Sequence, residues 1–278
     1  AFFMMINKGA IGVFDSGYGG LTVLESLQAE LPSYDFIYLG DNARTPYGSR
    51  SFDVIYQYTL EAVKFLFKQG CPLVILACNT ASAKALRTIQ QNDLASLAPT
   101  NRVLGVLRPT TEEIGNLTSS GHVGILGTNG TINSNSYAIE IKNFYPDLTV
   151  VQKSCPMWVP LVENNEFDNV GGEFYIKKYI DEILQQDDEI DTLVLACTHY
   201  PILEEKIKKK LPKHIRLVSQ GNLVASKLKS YLNRHPEIND RLTKKNELNV
   251  LTTENNKSFD LVASKFYKKE IKSITVKL

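Results

Sequence analysis

Two short segments of the chain echo each other: Leu76-Ala77-Cys78-Asn79-Thr80 and Leu195-Ala196-Cys197-Thr198-His199. Each puts a cysteine at the end of an apolar, strand-like run, Leu73 to Leu76 in one case and Thr192 to Leu195 in the other. Small polar residues follow each cysteine, where a helix is expected to begin. The cysteines lie 119 residues apart, so each belongs to its own half of the chain. A single active thiol would suggest nucleophilic or redox chemistry. Two thiols in matched settings suggest paired acid/base work, one as thiolate and one as thiol. That is the equipment needed to invert a carbon centre from its two faces. Donors at a helix N-terminus are expected to lower each thiol pKa from about 8.5.

Other polar groups stand near strand ends. Asp15-Ser16-Gly17-Tyr18-Gly19-Gly20 follows the first apolar run. A strand, a Gly-rich turn and a helix make a ready anion site. The dinucleotide fingerprint fails here because Thr22 holds the last glycine position, and no P-loop is present. An aspartate would repel a bare anion, so Asp15 is expected to meet an ammonium group or to orient an acid/base partner. Asp41 to Ser49 follows the second run, where loops line the ligand crevice of open α/β sheets. Tyr47 and nearby N–H groups could bind a carboxylate there. His199 lies two residues from Cys197, but no second closely spaced ligand pair accompanies it, so no metal is expected. Cys71 and Cys155 each precede proline and are read as buried structural residues.

The elements that must position these groups alternate as short β-branched runs and longer segments of helical period, which indicates parallel α/β structure. Strands are expected at 11–14, 36–39, 73–76, 102–107, 123–126, 148–151, 192–195, 216–218, 248–251 and 273–276. The clearest helix runs from Phe52 to about Gln69, with Ser51 as N-cap and Gly70 just past its end. Ile55, Ala62, Val63, Leu66 and Phe67 form its expected core stripe. Ile11 to Gly17 also resembles Val123 to Asn129, an offset of 112 residues against 119 for the cysteines. The two motifs recur in the same order, so the halves read as related units. The last stretch, from about Lys213, is expected to return to the first half. That gives a discontinuous first domain, 1–100 plus 213–278, and a second domain, 101–212.

The composition fits this picture. At 278 residues, 43% hydrophobic and 22% charged, the chain can hold one large or two medium domains. A net charge of +1 offers nucleic acid and anionic membranes no global attraction. The run Lys206 to Lys210 is read as a solvated helix face. No apolar stretch approaches the roughly 18 residues needed to span a bilayer. Ala1-Phe2-Phe3-Met4-Met5 is too short for a secretory leader and lacks a charged start. Four cysteines without a CxxC pair suit a reducing compartment, so a cytoplasmic location is expected.

Taken together, the segments resemble the glutamate racemase family, cofactor-independent enzymes that supply D-glutamate for peptidoglycan. The resemblance runs through Ile11 to Val23, Asp41 to Ser49 and Ala77 to Ser82. It continues through Gly124 to Thr131, Cys155-Pro156 with Val159 to Glu163, and Cys197 to Pro201. It implies two similar doubly wound α/β domains, related by a pseudo-two-fold axis, with the active site in the cleft between them. It implies no cofactor, a glutamate substrate and a homodimer. By resemblance, Cys78 is the base toward D-glutamate and Cys197 the base toward L-glutamate, with Asp15 assisting Cys78 and His199 assisting Cys197. Glu163 matches a further acidic residue. Substrate binding would fall to Asp15, Ser16, Tyr47, Gly48, Asn79, Thr80, Thr198 and His199. The chain departs from the family at Ser219, where aspartate is common, and at Arg108, where an acidic residue is common. Beyond about Gly221 the resemblance is weak. Aspartate racemase, or another two-cysteine amino acid racemase, is the nearest alternative. A thiol redox protein and a two-domain solute-binding module are alternatives of different class.

Overall fold

The computed structural model describes residues 8–278, so the segment Ala1 to Met5 lies outside the described residues. The ten expected strands all form: β1 Ile11–Asp15, β2 Phe36–Gly40, β3 Leu73–Leu76, β4 Arg102–Gly105 and β5 His122–Gly127, then β6 Thr149–Ser154, β7 Thr192–Ala196, β8 Arg216–Ser219, β9 Leu248–Thr252 and β10 Ser273–Thr275. β4 ends earlier than expected. Leu107 instead opens the helix Leu107–Leu117, whose first turn accommodates Pro109 because its N–H groups have no intrahelical partner.

The strands form two parallel sheets, ordered β10-β9-β2-β1-β3-β4 and β6-β5-β7-β8. Four strands of the first, β2-β1-β3-β4, have the same order as the whole of the second. Each sheet therefore reverses its winding direction beside its first strand, between β1 and β3 in one unit and between β5 and β7 in the other. Loops at such a point leave a crevice beyond the strand C-termini. Asp15 ends β1, Cys78 follows β3 and Cys197 follows β7. Helices cover the central strands, and β1, β3 and β7 are buried along their whole length. Burial on both faces explains their unbroken apolar sequences.

Two strands lie elsewhere than boundaries at 100 and 213 imply. β4 pairs with β3 in the first sheet, and β8 pairs with β7 in the second. The reason is connectivity. A short helical crossover returns the chain to the neighbouring free edge of the strand it has just left. The C-terminal return to the first sheet starts only at β9, which docks on β2.

The helix Phe52–Lys68 follows its sequence signals. The Ser51 hydroxyl accepts from Val54 N–H at 3.5 Å, and Cys71 N–H bonds the Leu66 carbonyl at 3.1 Å beyond the helix end. Ile55, Ala62, Val63 and Leu66 are buried, joined by Thr59, whose hydroxyl donates to the Ile55 carbonyl. Phe67 is only partly buried, because it lies about 120° around the helix from Ile55. The lysine run is solvated but paired: Lys206 and Lys210 both reach Glu173, and Lys208 reaches Glu204. Among the described residues no helix is long and apolar enough to cross a membrane.

Gly70 has φ +89°, and an added methyl there would meet no atom within 4 Å. Gly70→Ala should therefore cost only backbone strain, about 1–2 kcal/mol. Urea denaturation would measure this, and an unchanged midpoint would contradict it.

Candidate active site

The register of the two sheets sets the site. Phe14 lies opposite Leu76, so Ser16 and Cys78 leave their strands at one level. Gly127 lies opposite Ala196, so Thr128 and Cys197 do the same in the second unit. Cys78 caps the helix Asn79–Lys84, its sulfur accepting from Ala81 N–H at 3.5 Å, and the Ser16 hydroxyl stands 3.4 Å from that sulfur.

Both thiols line one cavity of about 390 Å³ between the units. Of the eleven residues expected at the site, ten line it: Ser16, Tyr47, Gly48, Cys78, Asn79, Thr80, Glu163, Cys197, Thr198 and His199. Asp15 lies behind this wall and is fully buried. A larger cavity of about 590 Å³ opens beside Ser82, Leu104 and Tyr231 but contains neither thiol, so the chemistry belongs to the smaller one.

The two sulfurs have different surroundings. On the Cys197 side, His199 Nδ1 is 3.9 Å from the sulfur and Nε2 is 2.9 Å from a Glu163 carboxylate oxygen. Burial opposes the imidazolium, but the Cys197 sulfur and Glu163 outweigh it and raise the His199 pKa to about 10. A protonated His199 can stabilise negative charge developing on Cys197. On the other side, burial pushes the Cys78 thiol up to about 12, with the Asp15 charge adding and the Ser16 and Ala81 hydrogen bonds opposing. The expected lowering at a helix terminus is outweighed, because burial strips water from the thiolate. Cys78 is thus held as the thiol.

Asp15 reaches across the cleft to Thr198 and its charge also acts on Cys78. One oxygen accepts from Gly17 N–H at 2.9 Å and the other from the Thr198 hydroxyl at 3.3 Å. Burial raises its pKa, while the His199 charge, the Gly17 and Gly20 N–H groups and Thr198 oppose the rise. The hydrogen-bond partner of Cys78 is Ser16. Tyr47 is also otherwise engaged: its hydroxyl donates to Asp41 at 2.5 Å, and the Arg44 guanidinium holds the same oxygen at 2.7 Å. The loop thus offers a ligand its backbone near Gly48, whose carbonyl accepts from Gly130 N–H at 2.8 Å. Asn79 accepts from the Tyr137 hydroxyl at 2.6 Å and donates to Gln220 at 2.8 Å. Thr80 and Thr128 share a 2.9 Å hydrogen bond across the units.

Three supporting residues were missed in the sequence. Thr128 was legible as the repeat's counterpart of Ser16. Tyr137 and Gln220, which hold Asn79, carried no sequence signal. Cys155, read as structural, is buried but also lines the cavity. Among the described residues no group of three or more His, Cys, Asp or Glu side chains is placed to hold a metal ion.

Two sheets of one winding order, each presenting a thiol to a shared pocket, define a two-domain α/β isomerase. Comparison with known proteins gives the family. The sequence matches the Asp/Glu/Hydantoin racemase family over residues 16–226. It is 42% identical to a glutamate racemase of Persephonella marina over 221 residues, covering 79% of this chain and 81% of that one. A glutamate racemase isoform from Bacillus anthracis superposes with a TM-score of 0.88 at 34% identity, covering 97% and 98% of the two chains. The glutamate racemase of Francisella tularensis, solved in complex with D-glutamate, gives 0.86 at 34% identity, with 98% of each covered. The chain belongs to the Asp/Glu racemase family and is an amino acid racemase.

Gly19 is required by close approach, since its backbone is ordinary helical. A methyl there would lie 2.3 Å from the Thr198 hydroxyl oxygen and 2.6 Å from His199 Nδ1. Gly19→Ala should lower kcat/KM by about 10- to 100-fold through displaced site groups. Steady-state kinetics with a circular-dichroism check of folding would show it; near-normal kcat/KM would refute it. The His199 shift also predicts a pH dependence. Its folded pKa lies above the ordinary 6.5, so protonation favours the folded state. That stabilisation is complete below pH 6.5 and is lost as pH rises toward about 10. Urea midpoints measured across this window should fall for the wild type and fall less for His199→Gln.

Proposed function

We propose that this racemase interconverts L-glutamate and D-glutamate by a two-base reaction, with Cys197 and Cys78 on opposite faces of the substrate Cα. The observation that carries it is the placement of two thiols at equivalent strand ends of two similarly wound units, in one cavity. The Cys197 thiolate, stabilised by the His199 imidazolium, takes the α-proton of L-glutamate. The electron pair of the broken C–H bond stays on the substrate as a carbanion-like species. The Cys78 thiol delivers its proton to the other face, giving D-glutamate, a Cys78 thiolate and a Cys197 thiol. The reverse reaction starts from that state. The α-carbon is a very weak acid, so hydrogen bonds aimed at the developing charge must supply much of the stabilisation. Ser16, the Gly48 backbone, Asn79-Thr80 and Thr198 are the donors proposed to hold the two carboxylates. Asp15 fixes Thr198, and Glu163 orients His199.

The choice of glutamate rests on the named relatives and on the D-glutamate complex of one of them. Aspartate is the alternative substrate, and pocket length decides between them. In this reading the enzyme needs no cofactor, acts in the cytoplasm, supplies D-glutamate for peptidoglycan and forms a homodimer. Its partners include neither nucleic acid nor membrane. The six-stranded and four-stranded sheets are its two domains.

Circular dichroism of L-glutamate incubated with the protein alone should decay to zero. A redox protein or a binding module would leave the signal unchanged. Cys78→Ser and Cys197→Ser should each lose about 10²- to 10⁴-fold in racemisation, the range for a general acid/base. Wild-type rates in either variant would sink the mechanism. In deuterated water the product enantiomer should carry deuterium at Cα, detected by mass spectrometry.

A further inference from the structure

The C-terminal helix Asn256–Tyr267 lies outside the matched family region, yet it reaches the site. Its Phe266 is buried, and its ring meets that of His199 edge-to-face, with centroids 5.4 Å apart and planes at 82°. On the glycine-rich loop after β1, Tyr18 stacks on Phe266 at 5.9 Å and on Phe259 at 5.3 Å. The helix is tied down at both ends. The Asn255 side chain accepts from Lys257 N–H at 3.0 Å, and the Tyr267 hydroxyl donates to Gln28.

We infer that Phe266 is a positioning residue that clamps His199 in line with Cys197; this rests on the two-base reading of the site. An imidazole turns easily about its second side-chain torsion. The contact from Nδ1 to the Cys197 sulfur is long, at 3.9 Å, and the Glu163 carboxylate holding Nε2 is partly exposed. These two contacts leave the ring loosely held. Phe266 closes a further side, and Gly19 lies against the same ring, where a methyl would come within 2.6 Å of Nδ1. Both come from the unit that carries Cys78, so the imidazole of one unit is held by the other. The aromatic face also keeps water from the imidazolium, which strengthens its effect on the sulfur.

The test uses the full-length enzyme, with Phe266→Leu as the variant and Phe259→Leu as the control. Phe259 shares the helix and the Tyr18 stack, so its variant reports loss of packing alone. Enantiomers have an equilibrium constant of 1, so kcat/KM must fall equally in both directions. For Phe266→Leu the fall should be about 10- to 100-fold, typical of a misplaced catalytic group. The decisive readout is the isotope effect on kcat/KM from α-deuterated substrates. Slowing only the Cys197 step makes cleavage of the L-enantiomer more rate-limiting and cleavage of the D-enantiomer less so. Phe266→Leu should therefore raise the effect with L-glutamate and lower it with D-glutamate, while Phe259→Leu leaves both at wild-type values. Unchanged isotope effects in Phe266→Leu, a rise on the D side, or the same shift in Phe259→Leu would each overturn the inference. Nitrogen-15 NMR of the imidazoles gives an answer that does not depend on turnover. His199 should give one sharp set of signals in the wild type and in Phe259→Leu, and exchange-broadened signals in Phe266→Leu. Sharp signals in all three would overturn the clamp, whereas a wild type that does not racemise would overturn only the reading of the reaction.

Discussion

A carboxylate and an imidazolium buried at one contact between two sheets set the terms for everything around them. Asp15 is fully buried and His199 nearly so. Moving a charge out of water costs several kcal/mol unless partners replace the lost hydration. Here the partners come from both units. Thr198, beside Cys197, donates to Asp15, which ends β1. The Thr22 hydroxyl, on the helix after β1, donates to the Thr198 carbonyl at 3.1 Å. The glycine-rich loop has no side chain at Gly19 because His199 and Thr198 occupy that space. These buried charges keep their partners only while the two units stay in contact there.

Similar winding with dissimilar partners follows from the same contact. The orders β2-β1-β3-β4 and β6-β5-β7-β8 are one plan used twice, and the plan puts a cysteine after the third strand each time. The surroundings then diverge. Burial and the Asp15 carboxylate raise the Cys78 thiol, and the Ser16 hydroxyl at 3.4 Å only partly offsets them. Cys197 has a protonated imidazole backed by Glu163. In the proposed reaction this difference sets the resting state: a proton already on Cys78 and a positive charge waiting beside Cys197. Nearly symmetric backbones thus carry unlike acid/base partners for the two faces.

Much of the architecture was legible because the signals are local. Alternation of β-branched runs with helical periods marked all ten strands, and Ser51 and Gly70 bounded a helix, since capping and left-handed turns depend on adjacent residues. The wall of the site was legible because both cysteines sit at strand ends, where open α/β sheets place their ligands. Other features depend on contacts distant in sequence. That Tyr47 spends its hydroxyl on Asp41, or that Asn79 is held by Tyr137 and Gln220, depends on residues up to 141 positions away. The raised pKa of Cys78 is hidden from sequence for the same reason: a helix terminus is visible there, whereas burial is a property of the whole fold.

The sequence by itself determined the element types, their succession along the chain and the placement of a thiol at the end of two matched strands. These follow from side-chain periodicity and backbone propensity, which act over a few residues. Tertiary structure decided which sheet receives β4 and β8, which partners Asp15 meets, how strongly burial raises the Cys78 thiol and which aromatic ring from the C-terminal helix rests on His199. Those outcomes depend on crossover connectivity, on desolvation and on packing between units, and each is set by distances that exist only once the chain has closed on itself.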